Sequence, residues 1–203
     1  MANLILNGST SGSVTLSSPA VSGTTTLTLP TTSGTVLTNG TNTNFPAGSV
    51  VQVLQTVKTD TFSTTSTSFV DITSLSVSIT PSSNTSKILV LVDIGYGITN
   101  AGYSMFNQLL RDSTAIYQGD ASSSSNRGQA MLPGDIAGSQ FFIYRPATIF
   151  LDSPATTSSV TYKVQMKTGN GTVVYVNRTG ADLGTATGGI RSASSITVME
   201  VKV

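Results

Sequence analysis

The chain has 203 residues, of which 9% are charged, and its ten basic and nine acidic side chains give a formal net charge of +1. Dispersed, nearly balanced charge argues against the basic footprint of a nucleic-acid-binding protein, and no apolar run approaches the roughly 20 residues of a membrane span. Histidine and cysteine are both absent, which removes disulfides, thiolate metal sites and imidazole-based triads.

Charged residues in a typical globular chain amount to about a quarter, and here Ser, Thr, Gly and Asn fill the difference. Disordered segments carry high net charge and few β-branched or aromatic residues, whereas this chain spreads Val, Ile, Leu, Tyr and Phe in short runs. Thr, Val, Ile and Tyr fit a pleated, half-buried surface, and no segment keeps a helical period. An all-β fold is therefore expected. The opening MANLILNGST has neither a basic stretch nor an apolar run of signal-peptide length, so production in a host cytoplasm is expected.

Residues 1–57 contain no charged side chain, and Lys58 is the first. A surface facing solvent is normally sprinkled with charge, so this segment is expected to lie against other chains. Within it Ser11-Gly12, Ser22-Gly23 and Ser33-Gly34 recur about every 11 residues, a repeat in which a Gly turn precedes a short strand such as 13–16 or 26–29. Thr15-Leu16, Thr26-Leu27 and Val36-Leu37 follow the three turns. One such unit cannot bury its apolar face alone, which points to an intertwined β stalk over residues 1–46. The polar stretch 38–44 and Phe45-Pro46-Ala47-Gly48 mark the boundary, and a head domain over residues 47–203 follows.

In the head, strands are expected over residues 49–57, 74–80 and 87–93. The second alternates with Leu75, Val77 and Ile79 on one face, and the third is apolar on both faces, the pattern of a strand covered on each side. Residues 105–110 and 114–117 flank Arg111-Asp112-Ser113 as a hairpin. Short runs at 141–144 and 148–151 surround Pro146. Residues 160–167 alternate with Val160, Tyr162, Val164 and Met166 inside, Asn170-Gly171 reads as a hairpin turn into 172–177, and residues 195–203 close the chain with Met199, Val201 and Val203 on one face. Nine or ten short strands in such a span suggest a β-sandwich or jelly roll.

The repeat from Gly12-Ser13-Val14-Thr15-Leu16 through Thr26-Leu27-Thr28-Leu29-Pro30 to Gly34-Thr35-Val36-Leu37 resembles the N-terminal β-repeats of phage tail-fibre and virion-appendage proteins. The order of Pro81, Lys87-Ile88-Leu89-Val90, Leu110-Arg111-Asp112, Leu151-Asp152-Ser153-Pro154, Val160-Thr161-Tyr162-Lys163-Val164-Gln165 and Ser195-Ile196-Thr197-Val198-Met199-Glu200-Val201 is similar to C-terminal head modules of marine and cyanobacterial phage structural proteins. The resemblance covers nearly the whole chain in style and order. It implies a homotrimer with a jelly-roll or tumour-necrosis-factor-like head, located in the virion and joined to other virion proteins, of tail or capsid, through the N-terminal segment.

Catalysis would have to rest on paired carboxylates. Glu200 is the only Glu and the eight Asp residues are scattered at turns, so Asp112 and Asp152 read as turn formers and local ion pairs, and a non-enzymatic protein without cofactor or bound metal is expected. Asp120 and Asp135 flank the polar stretch 121–128, read as a surface loop, with oxygen ligation of calcium as the alternative. The irregular segments 97–104 and 119–138 are the longest interruptions in the head and the place to look for receptor contacts. Tyr103, Asn126 and Arg127 offer a stacking face and hydrogen-bond donors for a host-surface glycan, and Tyr96 and Tyr117 are further loop tyrosines. A capsid decoration or cement protein is the second reading, and a polysaccharide-degrading tailspike a remote third.

Overall fold

A computed structural model of the chain describes residues 4–7, 9–17, 23–24, 26, 31–33, 45–99, 104–123, 125–128, 130–131, 139–182, 184 and 189–203. They form two compact units, Met1–Leu37 and Thr38–Val203. In the first unit, β1 (Leu4–Asn7) and β2 (Ser13–Leu16) pair antiparallel with Leu6 opposite Val14. Gly12, at φ 76°, opens the turn into β2 as the repeat requires. Ile5 and Leu6 lie on opposite faces and both are exposed, and a lone two-stranded hairpin is marginally stable in water. Most of the predicted strand 26–29, and the third repeat beyond Ser33, lie outside the described residues.

The second unit is built from β3 (Val50–Lys58), β4 (Phe62–Thr64), β5 (Val70–Ile79), β6 (Lys87–Asp93), β7 (Tyr96–Ile98), β8 (Met105–Arg111), β9 (Thr114–Ile116), β10 (Ala130–Met131), β11 (Ala147–Asp152), β12 (Val160–Thr168), β13 (Val174–Val176) and β14 (Ser194–Val201), with one 3-10 turn at Ser139–Phe141. Every pairing is antiparallel. One sheet runs β11-β6-β14-β3. The second runs β10-β8-β12-β5 with β9 also on β8, and a third, smaller sheet runs β4-β13-β7.

The eight principal strands pair in mirrored order: β3 with β14, β5 with β12, β6 with β11 and β8 with β9. This is a long hairpin rolled up on itself, and the β14·β6 and β12·β8 ladders close the roll. The head is thus a jelly roll in which two antiparallel sheets face each other. Mirrored pairing also gives the roll two unlike ends. At one end Gly48 N–H donates to Lys202 O and Lys202 N–H to Ser49 O, and the connections 80–86, 112–113 and 153–159 are short. At the other end the strands are joined by the long connections 59–69, 94–104, 117–146 and 169–193, which start and finish there.

The core fills the space between the sheets with alternating inward residues. Leu75, Val77, Ile79, Tyr162, Val164 and Met166 meet Ile88, Val90, Val92, Ile196 and Val198, all buried. Alternation in β5 reads cleanly only from Ser74 because the strand bulges there: Ser74 has φ 60°, and the register against β12 shifts between Lys163 and Gln165. The bulge lets Ile72 and Leu75, three residues apart, both point inward.

The two outer faces differ. On the β8-β12-β5 sheet, Ser78 and Thr161 share a hydrogen bond, Lys163 and Gln165 both reach Asp71, and Gln108 donates to Gln165. On the β11-β6-β14-β3 sheet the cross-strand rows read Gln55-Thr197-Leu91-Ile149 and Val53-Met199-Leu89-Leu151. Ile149 is 60% exposed and Val53 53%. Nothing among the described residues of this unit buries them.

Two local expectations are corrected. Asn170-Gly171 turns the chain, with Gly171 at φ 85°, but β12 and β13 belong to different sheets and form no hairpin. Residues 141–144 are not a strand: the 3-10 turn covers Phe141, and only Tyr144 bridges to Tyr96.

The register of β12 gives a direct test. Val164 is 2% exposed in the core, while Lys163 points outward to Asp71 at 2.8 Å. Val164→Asp places an unpaired carboxylate in the core and should cost about 3–5 kcal/mol, whereas Lys163→Asp loses a partly exposed pair and should cost about 1 kcal/mol or less. Urea denaturation of both variants checks the difference.

Candidate functional site

At the end where β3 begins and β14 finishes, polar chemistry is spent on closing the roll. Glu200 faces inward from β14 and is fully buried. Its carboxylate accepts from Ser82 N–H and Ser82 Oγ, at 2.8 and 2.6 Å, and from Gln52 Nε2. Burial pushes this carboxyl up, but the hydrogen bonds from Ser82, Ser86 and Gln52 together outweigh it and hold the group below its ordinary value. Asp152 of β11 accepts both Arg111 Nη1, at 2.8 Å, and Tyr162 Oη, at 2.7 Å, tying one sheet to the other. Burial, and then Asp152, push the Tyr162 hydroxyl far above its usual value. Asp112, at φ 54° in the tight β8-β9 turn, accepts Thr161 N–H from the neighbouring β12. Asp112 and Asp152 thus act as the turn former and ion pair expected of them.

The opposite end is an ordered cap. The third sheet takes β4, β7 and β13 from three different long connections, and the fourth contributes Tyr144, which exchanges two backbone hydrogen bonds with Tyr96, and Gln140, whose carbonyl accepts Ala181 N–H. Two glycines permit this. A Cβ on Gly97 would stand 2.0 Å from Arg178 O, and one on Gly180 would stand 2.0 Å from Ile98 O, so backbones touch where a side chain has no room.

Asn177 sits at the centre of the cap. It is fully buried at φ 63°, a conformation Asn tolerates better than most residues. Its Nδ2 donates to Lys58 O and Asp60 O, its Oδ1 accepts Ser194 Oγ, and its N–H donates to Gly95 O. Lys58 is itself buried with its ammonium 2.8 Å from Asp60. Near the rim Arg145 pairs with Asp93, and Arg178 and Arg191 share Asp182.

Of the receptor residues expected from sequence, Asn126 and Arg127 are exposed in the 117–146 connection. Arg127 Nε donates to Gly119 O at 2.7 Å, and Gln118 Nε2 donates to Arg127 O, folding 126–128 against 117–119. Tyr103 lies outside the described residues, as does Asp135, so neither can be placed beside Arg127. Tyr96 is corrected: it is a strand residue, 1% exposed, whose hydroxyl accepts Asn107 Nδ2 at 2.7 Å. Gly97 is likewise in β7 and buried, not in an open loop. Tyr117 is a loop tyrosine that reaches the surface, half-exposed and stacked on Phe150 with ring centroids 4.9 Å apart.

The described carboxylates are dispersed. Asp60, Asp71, Asp93, Asp152 and Asp182 each face a cation, Glu200 faces hydroxyls and amides, and Asp120 is exposed. Among the described residues no group of three or more acidic side chains is gathered to hold a metal ion.

No protein-family model matches the chain, and no curated protein matches it. Among solved structures it is similar to the VP2 subviral particle of infectious bursal disease virus, with TM-score 0.36 and 12% identity over 75% of this chain and 42% of that one. A mutant VP2 protein of the same virus gives TM-score 0.39 and 13% identity over 94% and 46%. The chain spans less than half the length of these two proteins. Likeness this loose carries no argument about function, which rests below on the chain's own geometry and sequence.

The buried carboxylate makes the fold acid-sensitive in a stated direction. Because the folded Glu200 titrates below its unfolded value, near 4.3, its contribution is present above that pH and is lost as pH falls through the folded value. Glu200→Gln should cost about 1–3 kcal/mol at pH 7, where an amide nitrogen would meet donors. The gap from wild type should narrow steadily below pH 4, as followed by thermal melts across pH.

Proposed function

We propose that the chain is a non-enzymatic structural protein of a bacteriophage virion, a homotrimeric fibre-like appendage. In this reading residues 1–46 form the stalk and anchor to other virion proteins, and residues 47–203 form the head that faces outward and adheres to a host-surface glycan. The observation that carries it is the polarity of the jelly roll. Residue 49, the first residue before β3, lies at the end of short turns, so a partner bound through the preceding segment is followed by a head whose long connections collect at the far end. Rigid scaffolds carry binding groups on such connections, and here a third sheet stiffens them. The sequence resemblance to phage appendages and the charge-free repeat support the same reading.

The carboxylate arrangement speaks for a binding or mechanical role. Inverting and retaining glycosidases need two carboxyl groups facing one cleft, and apart from the exposed Asp120 the described carboxylates are engaged one by one in ion pairs, turns and buried hydrogen bonds. The capsid-cement reading draws support from one feature, the apolar outer face of the β11-β6-β14-β3 sheet, which a shell surface would cover.

Adsorption separates the two. Virions carrying Tyr103→Ala, Asn126→Ala and Arg127→Ala together should assemble normally and bind host cells at least tenfold less well. Adsorption equal to wild type would overturn the receptor role of these residues and favour cement.

A further inference from the structure

We infer that the outer face of the β11-β6-β14-β3 sheet is the contact through which copies of this chain associate, an inference that rests on the homo-oligomeric reading above. The sequence of β6 is apolar on both faces, which a strand covered on both sides requires. Its inward residues Ile88, Val90 and Val92 are buried, but Leu89 and Leu91 are only half-buried on the outside. The partner sheet turns hydroxyls, amides and an ion pair outward, whereas on this face polar groups are confined to Gln55 bonded to Thr197, Ser195 and the ends of β6, where Lys87 stands and Asp93 pairs with Arg145. Contiguous apolar surface of this kind marks an interaction site.

Shape and chain order point to a second copy as the occupant. On the β6 and β11 side the face holds a hollow of about 280 Å³, lined by Leu91, Ala147, Ile149, Ser195 and Thr197, with Asp93, paired to Arg145, at its edge. It forms where short Ser and Thr side chains of β14 stand beside larger neighbours. The hollow has room for an aliphatic side chain of a second copy. Along the opposite edge of the same face β3 raises Val53 and Val57, each 53% exposed. The ridge of one copy fits the hollow of the next, a heterologous contact that generates a closed ring when the rotation allows.

The charge-free run of residues 1–57 does not stop where the head begins. It continues through the whole outer face of β3 and ends at Lys58, which is buried. The absence of charge therefore runs in sequence from the repeat through β3. Four strands and about eight residues span roughly 500 Å² at the usual strand spacings, short of the ~800 Å² per partner of a stable complex. The sheet face and the N-terminal repeat are thus both required.

Sedimentation velocity of the full-length chain tests the assignment. Wild type should sediment as one assembled species at micromolar concentration. Val53→Asp with Val57→Asp, and separately Ile149→Asp with Leu151→Asp, should weaken association at least tenfold, since each buries unpaired carboxylates in the contact. Val53→Thr with Val57→Thr should act in the same direction more weakly, which guards against a folding defect in the Asp variants. Ser76→Asp with Ser78→Asp, on the polar sheet, should leave association unchanged. Wild-type sedimentation by all the apolar-face variants, or a folded wild-type monomer, overturns the inference. Absence of the protein from purified virions would instead overturn the virion reading, whatever the sedimentation result.

Discussion

The ladder between β3 and β14 joins residues 50–58 to residues 194–201, and the rest of the head depends on that closure. Once the first and last strands of the unit lie side by side, each inner strand finds its mirror partner and the roll acquires two different ends. The same closure brings Glu200 beside Gln52 and within reach of Ser82, so that one buried carboxylate fixes the first strand, the last strand and the 80–86 turn together. At the far end Ser194, opposite Lys58, supplies the hydroxyl that Asn177 needs to hold the cap. Burying these polar groups is tolerable only because their partners arrive with the fold.

This arrangement gives the two ends different surfaces. Short turns leave little variable surface at the end where β3 begins, whereas the cap carries exposed Arg, Asn, Tyr and Phe side chains on connections held by strand pairing. Between the ends, the two outer faces divide again into a polar lattice and an apolar surface. The polar lattice satisfies its own hydrogen bonds and requires no partner. The other face sets Val53, Val57, Leu89, Leu91, Ile149, Leu151 and Met199 among Gln55, Ser195 and Thr197.

Much of this was legible in the sequence because strands of period two announce themselves. Residues 87–93 form β6 with the expected limits, the 105–111 and 114–116 hairpin turns at Asp112 as read, and Val160, Tyr162, Val164 and Met166 point inward. What was not legible depends on pairing between distant residues. β4, β7 and β13 are three residues each, too short for alternation to register, and exist because the long connections meet. Tyr96 reads as a loop residue for that reason, although the core claims it. Asn170-Gly171 has the composition of a hairpin turn, yet the strand after it crosses to another sheet. For the residues proposed to contact a receptor, exposure of Asn126 and Arg127 follows from their polar loop, but the partner of Arg127 at Gly119 and the stacking of Tyr117 on Phe150 need the fold.

The proposed appendage role requires one particular end of the roll to face outward. A reconstruction of a virion that carries this chain, at a resolution that resolves strands, measures this directly. The end bearing Ser49 and Lys202 is expected against the particle, with the β4-β13-β7 cap and the 117–146 connection in solvent and the β11-β6-β14-β3 faces turned toward one another around a common axis. A cap buried against the shell, with the short turns 112–113 and 153–159 outermost, would contradict it.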